Sequence, residues 1–127
     1  MRFSRKRTKN RLYVYFLEDI LDSIKKIRRY IKGYDAKSFM KDSFVQDAVI
    51  RNFEIIGEAS NNLPFRVKKQ YPNIPWEQMY LFRNYLAHEY FGADLNIVWR
   101  IARHQIDEYI PELEHIIEIE KEREALG

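Results

Sequence analysis

One short stretch gathers an arginine, an amide, a histidine and a tyrosine: Arg83-Asn84-Tyr85-Leu86-Ala87-His88-Glu89-Tyr90. Arg83 is a permanent cation whose planar fork suits phosphate oxygens. His88 can carry a proton near neutral pH. Together they could cleave RNA without a metal. A ribose 2′-hydroxyl would attack the adjacent phosphorus, His88 would move the proton, and Arg83 would neutralise the charge built up on the phosphoryl oxygens. The same residues also have a purely structural use. A histidine cation near a helix C-terminus complements the helix dipole by a few tenths of a kcal/mol, and an arginine can simply pair with a glutamate. Residue types alone leave both readings open.

Helical geometry sharpens the question. Five residues at about 100° each separate Arg83 from His88 by about 140° on an ideal helix, so the two would not share a face. Two arrangements would still join them. The last turn of the helix could loosen and swing His88 around, or a two-fold dimer could bring two copies of the segment into one cleft.

Elsewhere the sequence offers little chemistry. His104 and His115 read as surface or packing residues, and Glu89 points away from its neighbour His88 on a helix. There is no Gly-rich phosphate loop, no Gly-x-Ser-x-Gly elbow and no paired-Asp metal motif. Cysteine is absent, which removes disulfides, thiolate metal sites and a cysteine nucleophile. No metal and no cofactor are expected.

The elements that must position the stretch are helices. Tyr13, Phe16, Leu17, Ile20, Leu21, Ile24, Ile27 and Ile31 recur at three- and four-residue steps, which predicts an amphipathic helix over about 11–32, stopped at Gly33. A connector follows over 35–41. A second helix is expected from Ser43, with Ser43 and Gln46 at capping-box spacing, and it ends at Pro64. Asn52 lies in its apolar stripe, either as a buried hydrogen-bonding residue or as part of a site. Gly57 lies in its middle, which costs about 1 kcal/mol relative to Ala and points to close approach of another helix. A third helix should begin with Pro75 at its first position, carry Trp76, Met79, Tyr80, Arg83 and Ala87 on one face, and stop at Gly92. Asp94 then caps a fourth helix, kinked near Tyr109 by Pro111. Long amphipathic helices with short connections predict an all-α, antiparallel four-helix bundle with an extra short helix and a kinked last helix.

Composition agrees. At 127 residues, with 46% hydrophobic and 15% aromatic residues, the chain can build one core, and a single domain over 1–127 is expected. Four Gly and four Pro argue against a many-turned all-β protein. Six basic residues and no acid stand at positions 2–11; without them the 22 basic residues fall to 16 against 19 acidic, so the net positive charge belongs to a basic N-terminal arm. Such an arm suits nucleic acid phosphates or is a solvated tail. Near the C-terminus Glu112, Glu114, Glu118, Glu120, Glu122 and Glu124 read as the exposed face of a terminal helix. No apolar run exceeds Leu12 to Leu17, far short of a membrane span, and Glu18 and Asp19 interrupt any secretory segment, so a soluble, cytoplasmic protein is expected.

Arg83, Asn84 and His88, with four residues between Arg and His and Tyr90 two beyond, resemble the signature of the HEPN superfamily and, within it, the HepT-like toxins. The likeness extends to Arg51-Asn52-Phe53-Glu54-Ile55-Ile56-Gly57-Glu58-Ala59, to Tyr71-Pro72-Asn73-Ile74-Pro75-Trp76, to Tyr90-Phe91-Gly92 and to Asp94-Leu95-Asn96-Ile97-Val98-Trp99, and so covers about 11–120. The basic arm departs from it. The resemblance implies a HEPN-like helical bundle that forms a homodimer with the motifs lining a cleft at the interface. It implies a metal-independent endoribonuclease acting on RNA as the toxin of a toxin–antitoxin pair, with Arg83 and His88 catalytic and Asn84 supporting them. The partner implied is an MNT-type nucleotidyltransferase antitoxin that transfers AMP to Tyr90. Charge and bulk added there would block an RNA phosphate. The alternatives are a non-catalytic module that binds RNA, a nucleotide or the partner, and a purely structural dimer.

Overall fold

The spacing of apolar residues in α1 (Lys9–Tyr30) places Leu17, Ile20, Ile24 and Ile27 on one stripe, and in the computed structural model all four are completely buried. Each side chain removed from water in this way contributes about 1.5–3 kcal/mol. The structure describes residues 9–89 and 92–126, with side chains from Tyr13 onward. The basic arm's side chains and Tyr90 lie outside the described residues. Gly33, at φ 85°, takes the left-handed conformation that lets the chain leave α1.

The chain then makes α2 (Ala36–Met40), whose Phe39 packs 5.2 Å from the Trp99 ring, and α3 (Ser43–Asn62). The cap of α3 differs from the Ser43–Gln46 box expected. Asp42, one residue earlier, accepts a hydrogen bond from the Val45 N–H through Oδ1 and another from the Tyr34 hydroxyl through Oδ2. A carboxylate already in place leaves Ser43 as the first helical residue. Gln46 instead donates to the Phe39 carbonyl.

α4 (Phe65–Gln70) is the short extra turn, and α5 (Trp76–His88) follows with Pro75 just outside it as N-cap rather than at its first position. The buried face of α5 is Trp76, Met79 and Leu86; Ala87, expected on that face, is exposed. α6 (Leu95–His104) starts at Asp94, whose carboxylate accepts from the Asn96 N–H as a cap.

The last pass is broken more sharply than a proline kink. α6 ends at His104, a 3-10 turn occupies Ile106–Tyr109, and a separate helix, α7 (Ile110–Leu126), begins. Pro111 therefore sits in the first turn of α7, where its missing N–H removes no helical bond. α7 also corrects the reading of its acidic face. Glu120 shares the stripe of Leu113, Ile116 and Ile117 and is 0% exposed.

α3 runs antiparallel to both α1 and α5. Its start lies beside Leu86 and Ala87, its later turns beside Met79 and Arg83, and its last turns beside Phe16 and Asp19 of α1. α7 returns antiparallel along α1, with Lys25 bridged to Glu114 at 3.3 Å and Lys121 to Glu18 at 2.9 Å. The result is an all-α, HEPN-like bundle of four long passes with two short helices. Among the described residues no helix is long and apolar enough to cross a membrane.

Candidate functional site

Arg83 is held by the contact between α3 and α5. A Cβ added to Gly57 would lie 2.2 Å from the Arg83 Cβ and 2.6 Å from the Met79 carbonyl oxygen. Only glycine lets the two helices approach this closely, which is the reason for its place in mid-helix. The stem of Arg83 is thereby fixed on α3, and its guanidinium emerges beside Glu58, one residue further on.

The Arg83 side chain is 34% exposed. Nη2 donates to Glu58 Oε2 at 3.1 Å, and Nη1 donates to Asn84 Oδ1 at 3.0 Å. Asn84 is half-buried, so its carbonyl oxygen orients one arm of the fork. Glu58 is 60% exposed, and a pair this open to solvent is worth under about 1 kcal/mol. A phosphate could take the place of that carboxylate at little cost.

His88 is exposed on the last turn of α5. The turn does not loosen: the Glu89 N–H donates to the Tyr85 carbonyl at 2.9 Å, and the helix stays regular through His88. Arg83 and His88 therefore remain about 140° apart around the axis, and one chain does not bring them onto one face. The structure joins Arg83 to Asn84; Asn84 and His88, four residues apart on a regular helix, share a face about 40° apart, whereas Arg83 is turned away from His88. Tyr90, the expected AMP acceptor, lies outside the described residues.

Asp94, at the start of α6, is tied back to α5. The Asp94 N–H donates to the Tyr85 hydroxyl at 2.8 Å, so the start of α6 hangs on the motif helix. Tyr85 stacks on Phe82, which meets Phe53 of α3 edge-on at 5.1 Å. Asn52 proves to be a buried residue of α3. Its amide donates to the Ala48 carbonyl at 2.9 Å, while its Oδ1 is buried without a partner.

Residue types pointed to Arg83, Asn84 and His88 but missed Glu58 and Tyr85, whose roles depend on what lies across a helix contact. They also missed a second polar cluster, far from the motif in sequence. There the buried Glu120 accepts from Tyr13 at 2.8 Å, Tyr71 at 2.5 Å and Arg66 at 2.9 Å, with Arg123 at 3.6 Å. Burial pushes the Glu120 carboxyl up, but the hydrogen bonds from Arg66, Tyr71 and Tyr13 outweigh it and hold it below the ordinary range. Burial and the bond to Glu120 push the Tyr71 phenol up to about 12. The placement of Glu120 on the Leu113–Ile117 stripe was the signal that could have found this cluster.

Comparison with known proteins bears on the same region. The family described as "Ribonuclease HepT-like" matches residues 20–116, a span that contains Arg83, Asn84, His88 and Tyr90. A Methanocaldococcus jannaschii protein named "Putative RNase" is 42% identical over 110 residues, covering 86% of this chain and 91% of that one. "Probable ribonuclease HepT" of Thermococcus cleftensis is 41% identical over 91 residues, or 72% of this chain and 83% of its own. A longer M. jannaschii protein, named for gamma-glutamylcyclotransferase as well as "putative RNase", is 40% identical over 81% of this chain; the match spans 46% of that relative. No solved structure matches the chain.

Proposed function

The chain belongs to the ribonuclease HepT-like family, and on that premise we propose that it is a metal-independent endoribonuclease whose site is assembled from Arg83, Asn84 and His88 of two protomers. The observation that carries this reading is the exposed end of α5. It offers a guanidinium held, among the described residues, by a solvent-exposed glutamate and an amide, and an exposed imidazole about one turn beyond, in a chain whose relatives are named as ribonucleases. The angular separation of Arg83 and His88 supports a dimeric site, because the His88 of one protomer can face the Arg83 of the other across a two-fold axis.

In the reaction, an imidazole accepts the 2′-hydroxyl proton as the oxygen attacks phosphorus. The bond to the 5′-oxygen breaks, that oxygen takes a proton from an imidazolium, and a 2′,3′-cyclic phosphate is left. Arg83 exchanges Glu58 for the phosphoryl oxygens and stabilises the charge they gain. Asn84 keeps one arm of the fork aligned. The cellular role in this reading is that of a toxin, restrained by an MNT-type nucleotidyltransferase that transfers AMP to Tyr90. The added phosphate would repel RNA from the neighbouring cations.

Purified protein should cut RNA in the presence of EDTA and leave a cyclic phosphate or its hydrolysis product. His88→Ala should lower cleavage by about 10²–10⁴, the usual contribution of a positioned acid or base. Equal cutting by that variant would sink the proposal. The separation of Arg83 from His88 within one chain favours a second reading, a non-catalytic RNA-binding module. It predicts binding without cleavage, unchanged by His88→Ala and weakened by Arg83→Ala.

A further inference from the structure

Two helix ends rich in cations meet away from the motif. Arg28 and Arg29 stand in the last turn of α1, and Arg103 stands in the last turn of α6. A groove of about 620 Å³ runs between them, lined also by Lys25 of α1 and by Lys32 in the turn that follows it. Arg28 and Arg29 follow Lys25 by three and four residues, about one helical turn or 5.4 Å along α1, and Lys32 continues the cationic side into the turn after the helix. Among the described residues Asp107 is the single carboxylate lining the groove. Lys25 is bridged to Glu114, but among the described residues Arg28, Arg29, Lys32 and Arg103 have no carboxylate within ion-pair distance. Complementing a helix dipole explains cations at each helix end separately. It does not explain why two such ends face one another across open space.

Tyr34, half-buried against the core, also lines the groove, and its hydroxyl donates to Asp42 at 2.6 Å, which holds the phenol in place. A cationic track beside a fixed aromatic ring is the pattern used for single-stranded nucleic acid, whose bases stack while the backbone follows the charge. An acidic protein surface would need the cations but not the ring. Topology adds direction. α1 and α5 both run antiparallel to α3, so the end of α1 and His88 lie at the same end of the bundle.

We propose that this groove binds the phosphate backbone of single-stranded RNA at a distance from the cleavage site. The proposal rests on the ribonuclease reading and extends it, since it assigns how a longer substrate is held. The test compares the full chain with a variant carrying Arg28→Gln, Lys32→Gln and Arg103→Gln, all at exposed positions outside the cleavage machinery. The probe is a labelled, single-stranded, 2′-O-methylated RNA, which cannot be cut, followed by fluorescence anisotropy across a salt series. Loss of three phosphate contacts should weaken binding about tenfold or more and flatten the slope of log K against log salt by about 2, at about 0.7 per contact. Matching melting curves would show that the variant folds.

Unchanged affinity and slope would overturn the proposal. Equal wild-type affinity for polyglutamate would overturn it as well, by making the groove a surface for acidic proteins. A dinucleotide substrate, too short to reach the groove, reads the chemistry separately. Both proteins should cut it alike, and slower cutting by the variant would contradict a separate binding groove. If neither cuts it, the nuclease reading falls by itself while the salt slope still decides the groove.

Discussion

Glu120 and Arg83 are both charged side chains tied to opposite charge, yet their surroundings differ in kind. Glu120 is completely buried, and two phenols and a guanidinium donate to it. It joins α1, α4, the segment after α4, and α7. Arg83 reaches solvent and touches one exposed carboxylate and one amide. A buried ion must have its hydrogen-bonding capacity met or the fold suffers. A group meant to meet a substrate must keep part of that capacity free. The first cluster therefore stabilises, and the second is available for chemistry.

That contrast can be broken at either end. The largest expected effect is on activity: His88→Ala should remove cleavage by the factor stated above while shifting stability by less than about 0.5 kcal/mol, as surface substitutions do. Chemical denaturation of the purified variant checks the second half. Glu120→Ala should do the reverse. Leaving the Tyr13 and Tyr71 phenols without their acceptor should cost about 1–3 kcal/mol each in a urea titration, with little added by Arg66, which is half exposed. The same cluster has a pH signature. Because the folded-state pKa of Glu120 is depressed, its contribution is present above the ordinary value of 4.5 and lost as pH falls through the lower folded value. The raised Tyr71 phenol works oppositely: its contribution is intact below 10 and lost as pH climbs toward about 12. Melting temperatures across pH should show both flanks, and Glu120→Gln should flatten the acid one.

Smaller effects sharpen the comparison. Gly57→Ala would press a methyl group onto the Arg83 Cβ and the Met79 carbonyl, and should destabilise the fold by about 1–3 kcal/mol while displacing Arg83. Cleavage should fall further than the loss of folded protein explains. Glu58→Ala should be the mildest, under about 1 kcal/mol by thermal melting. It should leave cleavage unimpaired, since it frees Arg83 for phosphate. A large loss of activity in Glu58→Ala would mean that the carboxylate itself takes part.

Most of the helices were legible in the order of residues, because burial repeats with the helical period. The stripe of α1, the stop at Gly33, the cap at Asp94 and the close approach at Gly57 follow from local rules, and the structure bears each out. The errors share a cause. Ser43 lost the cap to Asp42 because two caps competed and the one that Tyr34 also holds is in place. Pro111 begins a helix because the preceding one had already ended at His104. Glu120 was misread because an acidic run hides which member points inward. The candidate site was legible as residue types, and its partners Glu58 and Tyr85 were not, since both act across contacts between elements.

By itself, then, the amino-acid order determined the all-α character, the positions of the long helices and the residue set at the end of α5, because propensity, capping and hydrophobic period act within a few residues. Tertiary structure alone decided that Glu120 is buried and paired, that Arg83 rests on Gly57 beside Glu58, and that the cations of α1 and α6 line one groove. Those facts depend on which faces of separate helices meet, and that choice is made by packing the whole chain at once.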